Sequence, residues 1–129
     1  MDWTLELQGS EVQLTDTADQ RVCLCFSAAL VRQGAADTFH AEEGHVKGVV
    51  LRFDQVTWTG DVPLCIGALS DSFVMVDGVP HRHLPVGWSA SGAINAEFSF
   101  RSGTTLTVLA QAVHCQAPDD PRFVTSYAC

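Results

Sequence analysis

Ala93-Ile94-Asn95-Ala96-Glu97-Phe98-Ser99-Phe100 alternates apolar and polar side chains almost without a break. In an extended chain successive side chains face opposite sides. Ile94, Ala96, Phe98 and Phe100 therefore share one face, and Asn95, Glu97 and Ser99 the other. Arg101-Ser102-Gly103 follows as a short turn, and Thr104 to Cys115 brings the pattern back with Leu106, Val108, Ala110 and Ala112 on one face. The pair reads as an antiparallel hairpin with one dry and one wet side.

The same period-two pattern extends upstream. Asp77-Gly78 lies between two β-rich runs, Leu69 to Val76 and Val79 to Leu84. Asp-Gly suits a two-residue hairpin turn because both positions need φ > 0. Pro80 has no backbone N–H to donate, which makes the second arm an edge. Val49, Leu51 and Phe53 share a face, Asp54-Gln55 reads as a bulge, and Gly60-Asp61 marks a turn before an extended Val62 to Ile66. Arg21 to Arg32 is apolar on both faces, which predicts a central strand covered on both sides, with Val22, Leu24, Phe26, Ala28 and Leu30 together. Trp3 to Leu7 and Val12 to Leu14 read as two short strands around Gly9-Ser10. Ala36 to Glu43, stopped by Gly44, reads as a helical turn. Phe123, Thr125 and Tyr127 alternate in the tail, which predicts a last edge strand.

Together these segments predict an all-β chain: residues 1–129 as one antiparallel β-sandwich or flattened β-barrel of about 8–10 short strands, with at most one short helical turn near 36–43. The expected core is Leu24, Phe26, Leu30, Leu51, Phe53, Phe73, Ile94, Phe98, Leu106 and Val108. A chain of 129 residues buries roughly two-thirds of its unfolded surface and needs no metal or disulfide to fold.

Charge narrows the partners. The formal net charge is −8, and residues 1–45 hold eight acidic against two basic side chains. Such a surface repels nucleic acid and anionic membranes and favours a basic protein partner or a small ligand. No run of apolar residues reaches the length of a membrane span, and the start Met1-Asp2-Trp3-Thr4-Leu5-Glu6 has no signal-peptide pattern. Five cysteines, an odd count at irregular spacing, argue for reduced thiols and a cytoplasmic setting. One Lys and one Asn against abundant Ala, Val, Gly and Arg suit a GC-rich, bacterial coding sequence.

Four constellations are candidates for chemistry. Cys23-Leu24-Cys25 and His81-Arg82-His83 each put two metal-ligand types on one strand face, and facing pairs of that kind hold zinc tetrahedrally. Cysteines inside an apolar strand, however, ordinarily behave as small hydrophobes. Gly87-Trp88-Ser89-Ala90-Ser91 approaches a nucleophile-elbow motif, but the last Gly is Ser and a strand follows instead of a helix. His40, Glu42, Glu43 and His45 crowd the stretch Gln33 to Gly44 and its edge, where a tuned base or a solvated loop are both expected compositions. Trp58 and Trp88 sit beside turns, which suits partner contacts as well as packing. The leading expectation is a non-enzymatic protein- or ligand-binding module without a cofactor. The alternative is a metal-dependent or small-ligand enzyme built on His81 and His83. An edge-strand homodimer is compatible with either.

Overall fold

The computed structural model describes residues 3–33, 42–119 and 123–125. Among these residues it has twelve strands: β1 (Trp3–Ala18), β2 (Arg21–Gln33), β3 (Glu42–Val46), β4 (Val50–Asp54), β5 (Thr57–Thr59), β6 (Gly67–Ala68), β7 (Phe73–Val76), β8 (Val79–His81), β9 (His83–Pro85), β10 (Ser89–Ser99), β11 (Thr105–Gln116) and β12 (Phe123–Thr125). They form one antiparallel sheet in the order β12-β3-β2-β4-β11-β10-β7-β8, with β1 along β2. The sheet curls into a half-barrel, so of the two expected architectures the barrel type is the one adopted. Two segments carry the ladder across its far side. Arg82 alone separates β8, which pairs with β7, from β9, which pairs with β1. Near the other end β6 pairs with β1, Leu69 bridges Phe100, and Ser70 N–H donates to the Ser99 carbonyl at 2.8 Å.

Curling puts one face of every long strand inside. Val22, Leu24 and Phe26 of β2, Leu51 and Phe53 of β4, Ile94, Ala96 and Phe98 of β10, and Leu106, Val108 and Val113 of β11 are all buried. Phe53 and Phe98 meet edge to face with centroids 6.0 Å apart, the favoured arrangement of two ring quadrupoles. The two hairpins most clearly written in the sequence form: β7 with β8 across Asp77 (φ 48°) and Gly78 (φ 84°), and β10 with β11, where a register shift between Ser91 and Ile94 turns Val113 and Cys115 inward in place of the expected Ala112. β8 lies at the end of the path, where the missing N–H of Pro80 costs no inner ladder bond. β12 lies at the other end, as the alternation in the tail predicts. No helix among the described residues is long and apolar enough to cross a membrane.

Several expectations need correction. Trp3–Ala18 is one bent strand rather than two, because its pairing with β2 shifts register between Glu6 and Leu14 instead of ending. The shift reverses the phase of β2. Inward positions run Val22, Leu24, Phe26 and then Ala29, Val31, so Leu30 turns outward and is only partly buried. The second face of β2 is half-exposed rather than covered. Phe73 is also only partly buried, with the Arg82 guanidinium carbon 5.8 Å from its ring centre. Val62 to Ile66 is no strand: Pro63 sits in a 3-10 turn over Val62–Leu64, entered from Asp61. Glu42 and Glu43, the end of the expected helical turn, belong to β3. The rest of that turn lies outside the described residues.

Ser10 holds the bend of β1 together. It is fully buried, its Oγ donates to the Glu6 carbonyl at 2.5 Å, and it accepts the Leu30 N–H at 2.8 Å. The hydroxyl thus replaces the ladder bond that the shift removes. Ser10→Ala strips both bonds from a site closed to water. It is expected to cost about 1–3 kcal/mol, read as a lower urea midpoint at unchanged slope. A loss under roughly 0.5 kcal/mol contradicts this role.

Candidate functional site

The registers of five neighbouring strands coincide at one level of the outer face. Asp16 of β1 stands opposite Cys23 of β2, Cys23 opposite Arg52 of β4, Arg52 opposite His114 of β11, and His114 opposite Ser89 of β10. Cys23, Arg52 and His114 lie between the inward neighbours Val22 and Leu24, Leu51 and Phe53, and Val113 and Cys115, while Ser89 is flanked by the partly buried Trp88 and Ala90. A straight line of polar and nucleophilic groups therefore crosses the outside of the sheet.

Asp54 gathers that line into a network. Arg21 Nε reaches its Oδ1 at 3.2 Å, and Arg52 Nε meets the same oxygen at 3.4 Å. The other carboxylate oxygen is 3.1 Å from His114 Nε2, and His114 Nδ1 lies 2.8 Å from Ser89 Oγ. A carboxylate only accepts hydrogen bonds, so a neutral His114 beside it carries its proton on Nε2. Nδ1 is then a lone pair, and Ser89 O–H donates to it. Asp54 and His114 are partly buried while Ser89 is exposed. The order carboxylate, imidazole, hydroxyl is that of a base-activated nucleophile.

The candidates read from sequence scatter around this network. Cys23 belongs to the line, and Cys25 sits two residues along, opposite Leu14 and Val50. His81 packs against Trp88 with ring centres 5.7 Å apart. His83 is opposite Glu6, which is itself opposite Leu30 of β2. Leu30 is roughly 16 Å along the strand from Cys25, so the Cys and His pairs do not face one another. Among the described residues no group of three or more His, Cys, Asp or Glu side chains is placed to hold a metal ion. His83 instead lines, with Glu6, Gln8 and Arg82, an open groove of about 330 Å³. Glu6 is paired there with Arg32 at 2.9 Å, and Arg82 with Asp71 at 3.0 Å. Glu43 is exposed and His45 partly buried, both on β3 rather than on a loop. His40 lies outside the described residues. Trp58 is exposed on β5, while Trp88 packs against the core.

Sequence reading weighs Ser89 and sets it aside, because the elbow motif is incomplete, and it gives no sign of His114 or Asp54. Those two lie on different strands, and only the pairing register brings them to Ser89. Comparison with family models, with curated proteins and with solved structures finds no match, so the residues themselves carry the functional reading.

The four described cysteines are free thiols, and burial raises the pKa of each. The neighbouring Cys25 raises Cys23 further, against the opposing pull of Arg21 and Arg52. Asp16 adds to burial at Cys25, and Asp61 at Cys65. Cys115 is pushed up to about 12 by burial, which outweighs a backbone hydrogen bond from Gly87. An unfolded chain ionises this thiol near 9.0, whereas the folded one keeps its proton. The resulting stability is fully present below pH 9 and is lost as pH rises toward 12, at roughly 1.4 kcal/mol per pH unit. Denaturation at pH 8 and at pH 10 is expected to show a larger alkaline loss for the native chain than for Cys115→Ala. Equal losses contradict the assignment.

Proposed function

We propose that the chain is a protein-binding module that docks a basic partner on the outer surface of β1 and the segment 61–66. One observation carries this reading. Leu14, Leu64 and Ile66 are 52%, 56% and 48% exposed. They lie on segments that run side by side: Val12 is opposite Gly67, and Thr15 Oγ1 donates to the Cys65 carbonyl at 2.7 Å. From Leu14 the apolar strip continues in register through Cys25 to Val50, both partly buried. Grouped apolar side chains left to water, rimmed by polar ones, are the usual mark of an interaction surface.

The rim selects the partner. Glu11, Asp16 and Asp61 are exposed around the strip, and the whole chain carries −8. A partner with apolar anchors flanked by Lys or Arg matches both features, the apolar part giving affinity and the charge steering approach. The groove at Glu6, Gln8, Arg82 and His83 supports a small-ligand reading less well, because Glu6 and Arg82 are already committed to Arg32 and Asp71. The free thiols suit a reducing compartment, and we place the module in a bacterial cytoplasm.

The test begins with capture on the immobilised chain and identification by mass spectrometry. The captured protein is then purified and titrated against the native chain and surface variants. Leu14→Glu with Ile66→Glu is expected to weaken binding by at least about 2 kcal/mol, the scale of an interface anchor. Asp16→Lys is expected to weaken it less and to flatten its salt dependence. Binding indifferent to both changes contradicts the proposal. So does sedimentation showing the strip closed by a second copy of the chain.

A further inference from the structure

We propose that Ser89 is an acyl-accepting nucleophile, with His114 as its base and Asp54 as the residue that positions the base, and that its substrates are small activated carboxylic esters. The proposal is independent of the docking strip. It rests on the hydrogen-bond chain of 2.8 Å from Ser89 Oγ to His114 Nδ1 and 3.1 Å from His114 Nε2 to Asp54 Oδ2. Both distances are within reach for direct proton transfer or orientation.

Three features separate this chain from a chance contact between polar surface groups. The three side chains come from three adjacent strands, β10, β11 and β4, paired so that Ser89 stands opposite His114 and His114 opposite Arg52, and the ladder sets their spacing. Asp54 is fixed by Arg21 and Arg52, both within 3.4 Å, so the acceptor facing His114 is held on two sides. The tautomer this enforces leaves the lone pair of His114 on the Ser89 side, as a general base requires. Ser89 is also the exposed end of the chain, where an ester arriving from solvent meets it first. An exposed hydroxyl of this kind suits small or flexible esters.

Ser89 Oγ bonds to the ester carbonyl carbon while its proton passes to His114 Nδ1. The bond from that carbon to the alkoxy oxygen breaks, and the leaving alcohol takes the proton back from the imidazolium. Water then attacks the acyl-serine with His114 again as base, releasing a carboxylic acid and restoring the hydroxyl. No electron is gained or lost.

The probe is p-nitrophenyl acetate, with release of nitrophenolate followed in time and the acetylated residue located by peptide mass spectrometry. The native chain is expected to carry acetyl on Ser89. Ser89→Ala is expected to lose that adduct, and His114→Gln to slow its formation by about a hundredfold, the scale of general-base catalysis. Asp54→Asn is expected to lower kcat at nearly unchanged KM, and Asp54→Glu to restore part of it, a split that a purely structural role does not produce. Circular dichroism and thermal midpoints confirm that each variant is folded. Acetyl confined to Lys47, to Cys23 or to the His114 ring overturns the proposal, as does acylation of Ser89 at native rate in His114→Gln. A native kcat in Asp54→Asn overturns the positioning role.

Discussion

Register is the constraint on which everything else in this molecule depends. A single sheet curled on itself has one inside, and every long strand must present its apolar residues there. The side-chain period along a strand is two, so a slip of one residue exchanges inside for outside. Between β2 and β10 the pairings Val22 with Phe53, Phe53 with Val113, and Phe98 with Leu106 keep buried residues opposite buried ones. The phase changes at two places among the described residues: the bend of β1 against β2, held by the two hydrogen bonds of Ser10, and the shift between Ser91 and Ile94, after which β11 turns Val113 and Cys115 inward.

The outer face inherits its chemistry from the same pairings. Once Leu51, Phe53 and Val113 point inward, Arg52, Asp54 and His114 have no choice but to point outward, and they do so side by side. The polar line Asp16–Cys23–Arg52–His114–Ser89 and the apolar strip Leu14–Cys25–Val50 are successive outward rungs of one ladder, with the inward rung through Leu24 and Leu51 between them. Changing the core register would dismantle both at once. The proposed docking surface and the proposed nucleophile thus share a physical origin while making separate claims.

Local chemistry was legible in the sequence; long-range pairing was not. The β7–β8 turn is announced by Asp77-Gly78, because few other residues tolerate two positive φ angles in succession, and the β10–β11 hairpin by clean alternation around a Gly. Nothing in Ser27-Ala28-Ala29-Leu30 signals the phase change that turns Leu30 outward; the bend held by Ser10, distant in sequence, produces it. Pro63 was a visible warning against a strand at Val62 to Ile66, and the apolar run around it carried more weight than the missing N–H justified. Ser89 drew notice through its neighbours in sequence, but His114 and Asp54 have nothing in their local pattern to mark them. Their role arises from which strands lie next to β10. Likewise the exposure of Leu14 follows from the register shift, since simple alternation from Val12 places it in the core.

The most direct measurement is the set of cross-strand backbone proton contacts by NMR in the native chain. The account requires contacts linking Cys23 to Arg52, Arg52 to His114, and His114 to Ser89, with the buried neighbours Leu24 and Leu51 in matching register. Contacts displaced by one residue at any of these steps, or β4 and β10 found on separate sheets instead of flanking β11, would contradict it.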